Sequence, residues 1–291
     1  MHIGVLAFLT EASGQPGGIA FEAEQLGFES FWVAEHLVIP VDYTTYYPRS
    51  EDGRVPEFYA HLIDPFVALA TAAQATKVIK LGTGICLLPE RDAITTAKAA
   101  ASVDLFSNGR LLMGVGAGWF PEEAKVMGVQ FNRRWQHLRE SVEAIRELWT
   151  AEEASYNGDI VNFPPVKLFP KPVQTPMPPI YLGAHDRRYA LKRVARYADG
   201  WCPGGLTPEQ AADDIPEIRR LAEEAGRDPN ALAFSVMLLG TPKGGITTEL
   251  LKKYAGAGVT RIIVGAAAAA TGDGVEAVKQ LAPIVDCAQH V

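Results

Sequence analysis

The sequence predicts a (β/α)8 barrel, and three observations predict it. Short apolar runs of buried-strand type alternate with helix-length segments eight times along 291 residues. No low-complexity linker interrupts the alternation, so one domain over residues 1–291 is expected. Glycines gather where strands end, at Gly82, Gly84, Gly114, Gly116, Gly118 and Gly183, and barrels of this kind place their chemistry at those ends. A doubly wound sheet is the structural alternative, but it rarely uses so many units.

Each element has a local reason. Ile3 to Phe8 forms the first strand, and Gly17 to Leu26 a helix stopped by Gly27. Phe31 to Val33 is the second strand and delivers Ala34-Glu35-His36 at its C-terminal end. Residues 38 to 62 are turn-rich and carry Tyr43, Tyr46, Tyr47, Phe58 and Tyr59. Loops this long in a compact enzyme are usually lids or binding walls. Asp64 caps a helix that starts at Pro65 and runs to Ala75. The third strand spans Ile79 to Leu88, interrupted by Gly82 and Gly84, and an alanine-rich helix follows from Ile94 to Leu105.

Asn108-Gly109 turns the chain into the fourth strand, Leu111 to Val115. The next helix places Trp135, Leu138, Val142, Ile145 and Trp149 on one face. Residues 150 to 178 then break the alternation with six prolines. They predict an insertion between the fourth helix and the fifth strand, with a hairpin around Asn157-Gly158. Ile180 to Ala184, Gly200 to Pro203, Leu232 to Leu239 and Arg261 to Gly265 are the last four strands. The helices among them are Arg187 to Ala198, Pro208 to Ala225, Thr247 to Ala255 and Val275 to Ala288. Pro216 is expected to kink or split the second of these.

Composition narrows the function classes. A hydrophobic content of 48% supplies a large core, and a net charge of −7 argues against a nucleic-acid or anionic-membrane partner. Cys86, Cys202 and Cys287 are odd in number and far apart, which suggests a reducing compartment without a disulfide framework or zinc site. No apolar run approaches the roughly 20 residues that cross a bilayer, and Ile3 to Leu9 is too short for a signal peptide. A cytoplasmic protein with a small-molecule substrate and no metal is the expectation.

Gly114, Gly116 and Gly118 clear side chains from a strand end, either as a platform for a planar ring or as a tight strand-to-helix turn. The pair Glu35-His36 at another strand end is either a capped strand terminus or a proton-handling site, since histidine titrates near neutrality.

Four segments carry a family likeness: Trp32 to His36, Leu81 to Ile85, Ser107 to Trp119 and Ile180 to Ala184. In order and spacing the chain resembles the bacterial luciferase-like superfamily along nearly its whole length, most of all the branch that uses the deazaflavin coenzyme F-420. The resemblance implies a flavin-type ring lying across the strand ends, hydride-transfer chemistry, and a homodimer. It implies a non-prolyl cis peptide at Gly84-Ile85 and a ring-lining segment at Ala117-Gly118-Trp119. Some relatives that dehydrogenate a sugar phosphate carry glutamate where Trp119 stands, which argues against that acid role here. Trp119 then either walls the pocket or packs the following helix. Glu35 and His36 match an acidic-His pair and are the catalytic candidates, although the family more often has aspartate at the first. Gly183 and Ala184, before a helix capped by Asp186, match a cofactor-phosphate site, with Arg187 or Arg188 as helper. The expected function is thus F-420-dependent oxidation or reduction of a small organic substrate. Both rings fit the same shelf, so an FMN-dependent monooxygenase stays open, as does a non-catalytic flavin-binding protein.

Overall fold

The computed structural model describes residues 1–48, 50–240, 242 and 244–291. Arg49 in the loop after the second strand, and Thr241 and Lys243, lie outside them. The strands are β1 (His2–Ala7), β2 (Ser30–Val33), β3 (Lys80–Thr83), β4 (Cys86–Leu87), β5 (Leu111–Gly116), β6 (Ala154–Asn157), β7 (Asn162–Val166), β8 (Ile180–Leu182), β9 (Gly200–Trp201), β10 (Ala233–Leu238) and β11 (Arg261–Ala266). The helices are α1 (Pro16–Gln25), α2 (Pro65–Ala75), α3 (Ala93–Phe106), α4 (Pro121–Val126), α5 (Arg134–Thr150), α6 (Arg187–Tyr197), α7 (Pro208–Glu224), α8 (Thr248–Gly256), α9 (Gly274–Lys279) and α10 (Ala282–Ala288).

Parallel pairing runs β3-β2-β1-β11-β10-β9-β8-β5-β4, and a β3–β5 pairing closes the ring. The expected third strand is two pieces of one barrel strand, β3 and β4, because the chain bends at a cis peptide between Gly84 and Ile85. The barrel is therefore eight-stranded, with helices between its strands, as the alternation predicts. The interior holds Leu6, Trp32, Leu112, Tyr181, Met237 and Ile263, while a larger apolar layer lies between strands and helices. Burial of Val, Ile, Leu and Phe on both faces of the strands explains why they read as apolar runs rather than alternations.

The insertion is a β6–β7 antiparallel hairpin, with Tyr156 opposite Phe163 and Asn157 opposite Asn162. Glu140 on α5 pins its turn by accepting from the Ile160 and Val161 amides at 2.8 and 3.1 Å. The proline-rich return is held by Asp104 on α3, which accepts from the Val173 and Gln174 amides.

Two local expectations change. Helix α7 passes through Pro216 without dividing. Pro216 is exposed, so the carbonyl it leaves unbonded in the preceding turn faces solvent. Buried Ala211, Ile215, Ile218 and Ala222 and a Thr207–Gln210 capping box hold the helix together. The expected final helix is two, α9 and α10, broken at Gln280-Leu281 ahead of Pro283.

The glycine at 114 is a packing requirement at the β3–β5 seam. A Cβ there would lie 2.2 Å from the Thr83 carbonyl oxygen, and the Thr83 hydroxyl already donates to the Gly114 carbonyl at 2.7 Å. Gly114→Ala is expected to lower the unfolding free energy by about 1–3 kcal/mol, the usual range for overpacking. Urea unfolding followed by circular dichroism measures it, and an unchanged midpoint would show that the seam has room.

Candidate active site

The C-terminal mouth of the barrel is floored by the Gly84-Ile85 peptide. Beneath it, a Cβ on Gly84 would lie 2.7 Å from Leu6 Cδ1, 3.2 Å from Trp32 Cβ and 3.3 Å from Met237 Cε. The Ile85 side chain sits in a socket made by absent side chains. Added Cβ atoms on Gly116 and Gly183 would approach its Cδ1 to 2.2 and 2.7 Å, and one on Gly114 would approach its Cγ2 to 3.3 Å. Glycines that are far apart in sequence thus converge on one isoleucine, and both Gly84 and Ile85 stay half-exposed.

His36 stands at this mouth, at the end of β2. Its Nδ1 lies 2.5 Å from Oε2 of Glu123, a fully buried carboxylate in the first turn of α4. The other oxygen of Glu123 accepts from the Leu37 amide at 2.9 Å and the Val38 amide at 3.4 Å. The carboxylate makes Nδ1 the protonated nitrogen. Nε2, facing the Trp119 indole Nε1–H at 3.4 Å, is then the acceptor.

Glu35 is not the carboxylate that orients the histidine. It accepts from the Leu87 amide at 2.6 Å and from the Arg91 guanidinium, whose NH2 also reaches Asp64 at 2.5 Å. Burial pulls Arg91 down, but its bonds to Glu35 more than offset this and leave it above its ordinary value. Glu35 therefore ties β2 to β4 and the start of α2.

Around the imidazole an aromatic wall forms from three parts of the chain. Tyr59 lies 4.9 Å from His36 and Trp119 5.8 Å, centroid to centroid. Tyr47 contacts Trp119 at 5.5 Å and shares a 2.8 Å hydroxyl–hydroxyl bond with Tyr59. Phe58 extends the wall to Phe8 on the far side. Trp119 stacks on Phe120 with planes 10° apart. Trp119 meets the loop after β2 through Tyr47 and also stacks on Phe120, the residue that opens α4.

At the end of β8 the expected phosphate ligands divide. The Gly183 amide donates to the Val115 carbonyl at 2.9 Å, so this residue contributes bareness rather than a free N–H. Ala184 is buried beside it, and Ala117 is buried across the mouth. Asp186 caps α6 through the Arg188 amide, as expected, while Arg187 pairs with Asp214 on α7 at 2.5 Å. Of the two arginines, Arg188 lacks that carboxylate, and its guanidinium lies over Tyr189.

Two residues went unread in the sequence. Glu123 is signalled only by Pro121-Glu122-Glu123, a helix start with an acidic first turn. Glu90, just after β4, is buried with neither oxygen bonded to a protein group. Burial, then the carboxylates of Glu123 and Glu35, push its pKa up to about 8.

A family model for luciferase-like monooxygenases matches residues 14–273. The chain belongs to that family. This luciferase-like protein is 37% identical to an uncharacterized protein of Mycobacterium tuberculosis over 294 residues, 99% of each chain. It is 32% identical to an F-420-dependent glucose-6-phosphate dehydrogenase of Amycolatopsis mediterranei over 212 residues, 71% of this chain and 58% of that one. Its fold matches an F-420-dependent secondary alcohol dehydrogenase solved with an F-420–acetone adduct. That match has a TM-score of 0.76 and 18% identity over 98% of both chains. Among the described residues, no helix of the luciferase-like chain is long and apolar enough to cross a membrane.

Glu90 makes the luciferase-like barrel pH-sensitive in a defined direction. Between about 4.5, its ordinary value, and about 8, the folded protein holds a proton that the unfolded chain releases. Stability is then expected to fall as pH rises through that window. Thermal unfolding from pH ~5 to pH ~8 should show a declining Tm whose slope is reduced in Glu90→Gln. An identical slope in the variant would contradict the assignment.

Proposed function

We propose that this protein is a coenzyme F-420-dependent oxidoreductase that moves a hydride between the deazaflavin and a small, uncharged organic substrate. The observation that carries the reading is His36, an imidazole fixed at one nitrogen by a buried carboxylate at a barrel mouth where glycines seat Ile85. The F-420 dependence of the Amycolatopsis relative supports this cofactor. The family's monooxygenase description favours FMN as the second reading.

The residues present fit such a ring. Ile85, seated by Gly116 and Gly183, and the Gly84-Ile85 peptide offer it a face, with Ala117, Trp119 and Ala184 at its edges. The start of α6, with Ala184 and Arg188, is the place for an anionic tail. Arg187 serves there only by leaving Asp214. When bound, a deazaflavin supplies a carbon centre that takes or gives a hydride in one two-electron step.

The protein's own part is proton handling and exclusion of water. Glu123 keeps the proton on Nδ1 of His36, so Nε2 is the accepting nitrogen, and a substrate hydroxyl would take the place of the Trp119 indole N–H that it accepts from at 3.4 Å. A substrate hydroxyl gives its proton to Nε2 as it is oxidised, and the imidazolium so formed is stabilised by the Glu123 carboxylate. In the reverse direction the same atom returns the proton to a carbonyl oxygen. Tyr47, Phe58, Tyr59 and Trp119 form an aromatic wall beside it. Trp119 stands where sugar-phosphate dehydrogenases carry an acid, so glucose 6-phosphate is not the proposed substrate. Glu35 acts through Arg91 and Leu87 as a positioning residue.

Titrating the apoprotein separately with F-420 and with FMN, followed by absorbance, tests the cofactor. Saturable F-420 binding with none for FMN is expected, and the opposite result selects the monooxygenase reading. His36→Ala is expected to keep its cofactor Kd while kcat falls by about 10²–10⁴. Wild-type turnover in that variant would remove His36 from the chemistry.

A further inference from the structure

Helix α6 is charged out of keeping with the rest of the chain. Its segment Arg187–Tyr197 carries Arg187, Arg188, Lys192, Arg193 and Arg196 and no carboxylate, in a protein of net charge −7. Two of these arginines and one from α5 interleave with aromatic rings. Arg134 lies 3.8 Å from the Phe131 ring centroid and 6.0 Å from that of Trp135. Arg193 lies 4.1 Å from Trp135 and 5.3 Å from Tyr189, and Arg188 lies 5.1 Å from Tyr189. Phe131, Arg134, Trp135, Arg193, Tyr189 and Arg188 thus form a ladder in which ring and cation alternate. One end is tied to the candidate site, where Arg134 Nε donates to the Gly118 carbonyl at 3.2 Å. The other end is the first turn of α6. The strands that lead to these two places, β5 and β8, are paired neighbours.

The cations of the ladder lack what their neighbours in sequence have. Arg133 lies 3.6 Å from Asp159 and Arg187 2.5 Å from Asp214. Among the described residues no carboxylate pairs with Arg134, Arg188 or Arg193, and the Arg193 guanidinium has no hydrogen bond. Asp186, the carboxylate whose field reaches Arg193, is held as the cap of α6 by the Arg188 amide. Burial lowers both Arg134 and Arg193, and Arg193 lowers Arg134 further, so the two repel each other with no paired carboxylate between them. Arginines that only brace the fold are placed differently. Arg110 directs its N–H groups to the Ser107, Ile79 and Ala73 carbonyls, and Arg261 directs its own to Glu29. A guanidinium over a ring uses its flat face and keeps its N–H edge for a planar anion.

We infer that this ladder is a track for an extended anionic tail, on which Arg193 and its neighbours grip the carboxylates that follow the phosphate of the proposed cofactor. The inference rests on the F-420 reading, because F-420 continues beyond its phosphate into a chain of glutamates, whereas FMN ends at its phosphate. The phosphate belongs to the start of α6, and the ladder adjoins that place through Arg188. Carboxylates along a flexible chain suit cations separated by rings, since each guanidinium edge can hold one carboxylate through two N–H bonds. The rings hold the arginines in place before the tail arrives, which reduces the ordering cost of binding. The surplus positive charge of α6 also attracts an anion to a protein whose net charge repels it.

Fluorescence titration of the apoprotein with F-420, and with its glutamate-free form that keeps the phosphate, measures the track. Arg193→Gln is expected to raise the Kd of F-420 about tenfold, the loss of one charge-assisted pair, and to leave that of the glutamate-free form unchanged. Arg193→Lys, which keeps the charge and loses the planar fork, is expected to fall between, and it makes the same comparison if Arg193→Gln fails to fold. Equal weakening of both ligands assigns Arg193 to the phosphate and overturns the track, as does no weakening of either. Triglutamate added to 15N-arginine-labelled wild-type protein separates this result from the fate of the cofactor reading. A shift of the Arg193 Nε–H resonance is expected. That shift without any F-420 binding would defeat the cofactor reading and leave the track standing. No shift, whatever the affinity for F-420, overturns the track.

Discussion

The first turn of α4 is the constraint on which the mouth of this barrel depends. Glu122 and Glu123 follow Pro121 at a helix start, where the helix field favours negative charge. Glu122 accepts from the Thr44 and Thr45 amides and the Thr45 hydroxyl, and Glu123 from Leu37, Val38 and His36. Two adjacent side chains thereby hold both the catalytic candidate and the first part of a long loop. Without them a turn-rich segment of 25 residues would have little reason to fold back over the strand ends.

The second constraint is one of exclusion. Ile85 occupies the floor because Gly114, Gly116 and Gly183 leave it a socket, and Gly84 passes over Leu6 and Met237 because nothing projects from it. A flat floor at a barrel mouth thus arises from side chains removed on three different strands. The same logic admits Glu90 beside Gly118. Glycine spacing that looks like a single motif in the sequence therefore serves separate neighbours: Gly114 the Thr83 carbonyl, Gly116 Ile85, and Gly118 a carboxyl.

These distinctions explain what the sequence made legible. Strand and helix order was readable because burial on both strand faces produces apolar runs, and Pro and Gly mark the breaks. The hairpin at Asn157-Gly158 was readable for the same local reason, and the cis bond at Gly84-Ile85 was expected through the family resemblance. The roles of charged groups were not. Glu35 adjoins His36 in the chain, yet successive residues at a strand end point to opposite sides, so its carboxylate turns to Arg91. The group that does reach the imidazole lies 87 positions away. Pro216 does not split α7, because the buried face of the helix offsets the proline penalty.

Tryptophan at position 119 gains meaning from where the carboxylates are. Glu35, Glu90 and Glu123 are all buried; Glu35 is matched to Arg91 and Glu123 to His36, while among the described residues no group bonds the Glu90 carboxyl. The wall itself presents Tyr47, Tyr59 and Trp119. In this arrangement the carboxylates sit one layer behind the aromatic side chains, and the His36 imidazole bonds to both layers, to Glu123 through Nδ1 and to Trp119 through Nε2. The tryptophan consequently joins the aromatic wall through Tyr47 and bonds the imidazole nitrogen that Glu123 leaves as acceptor.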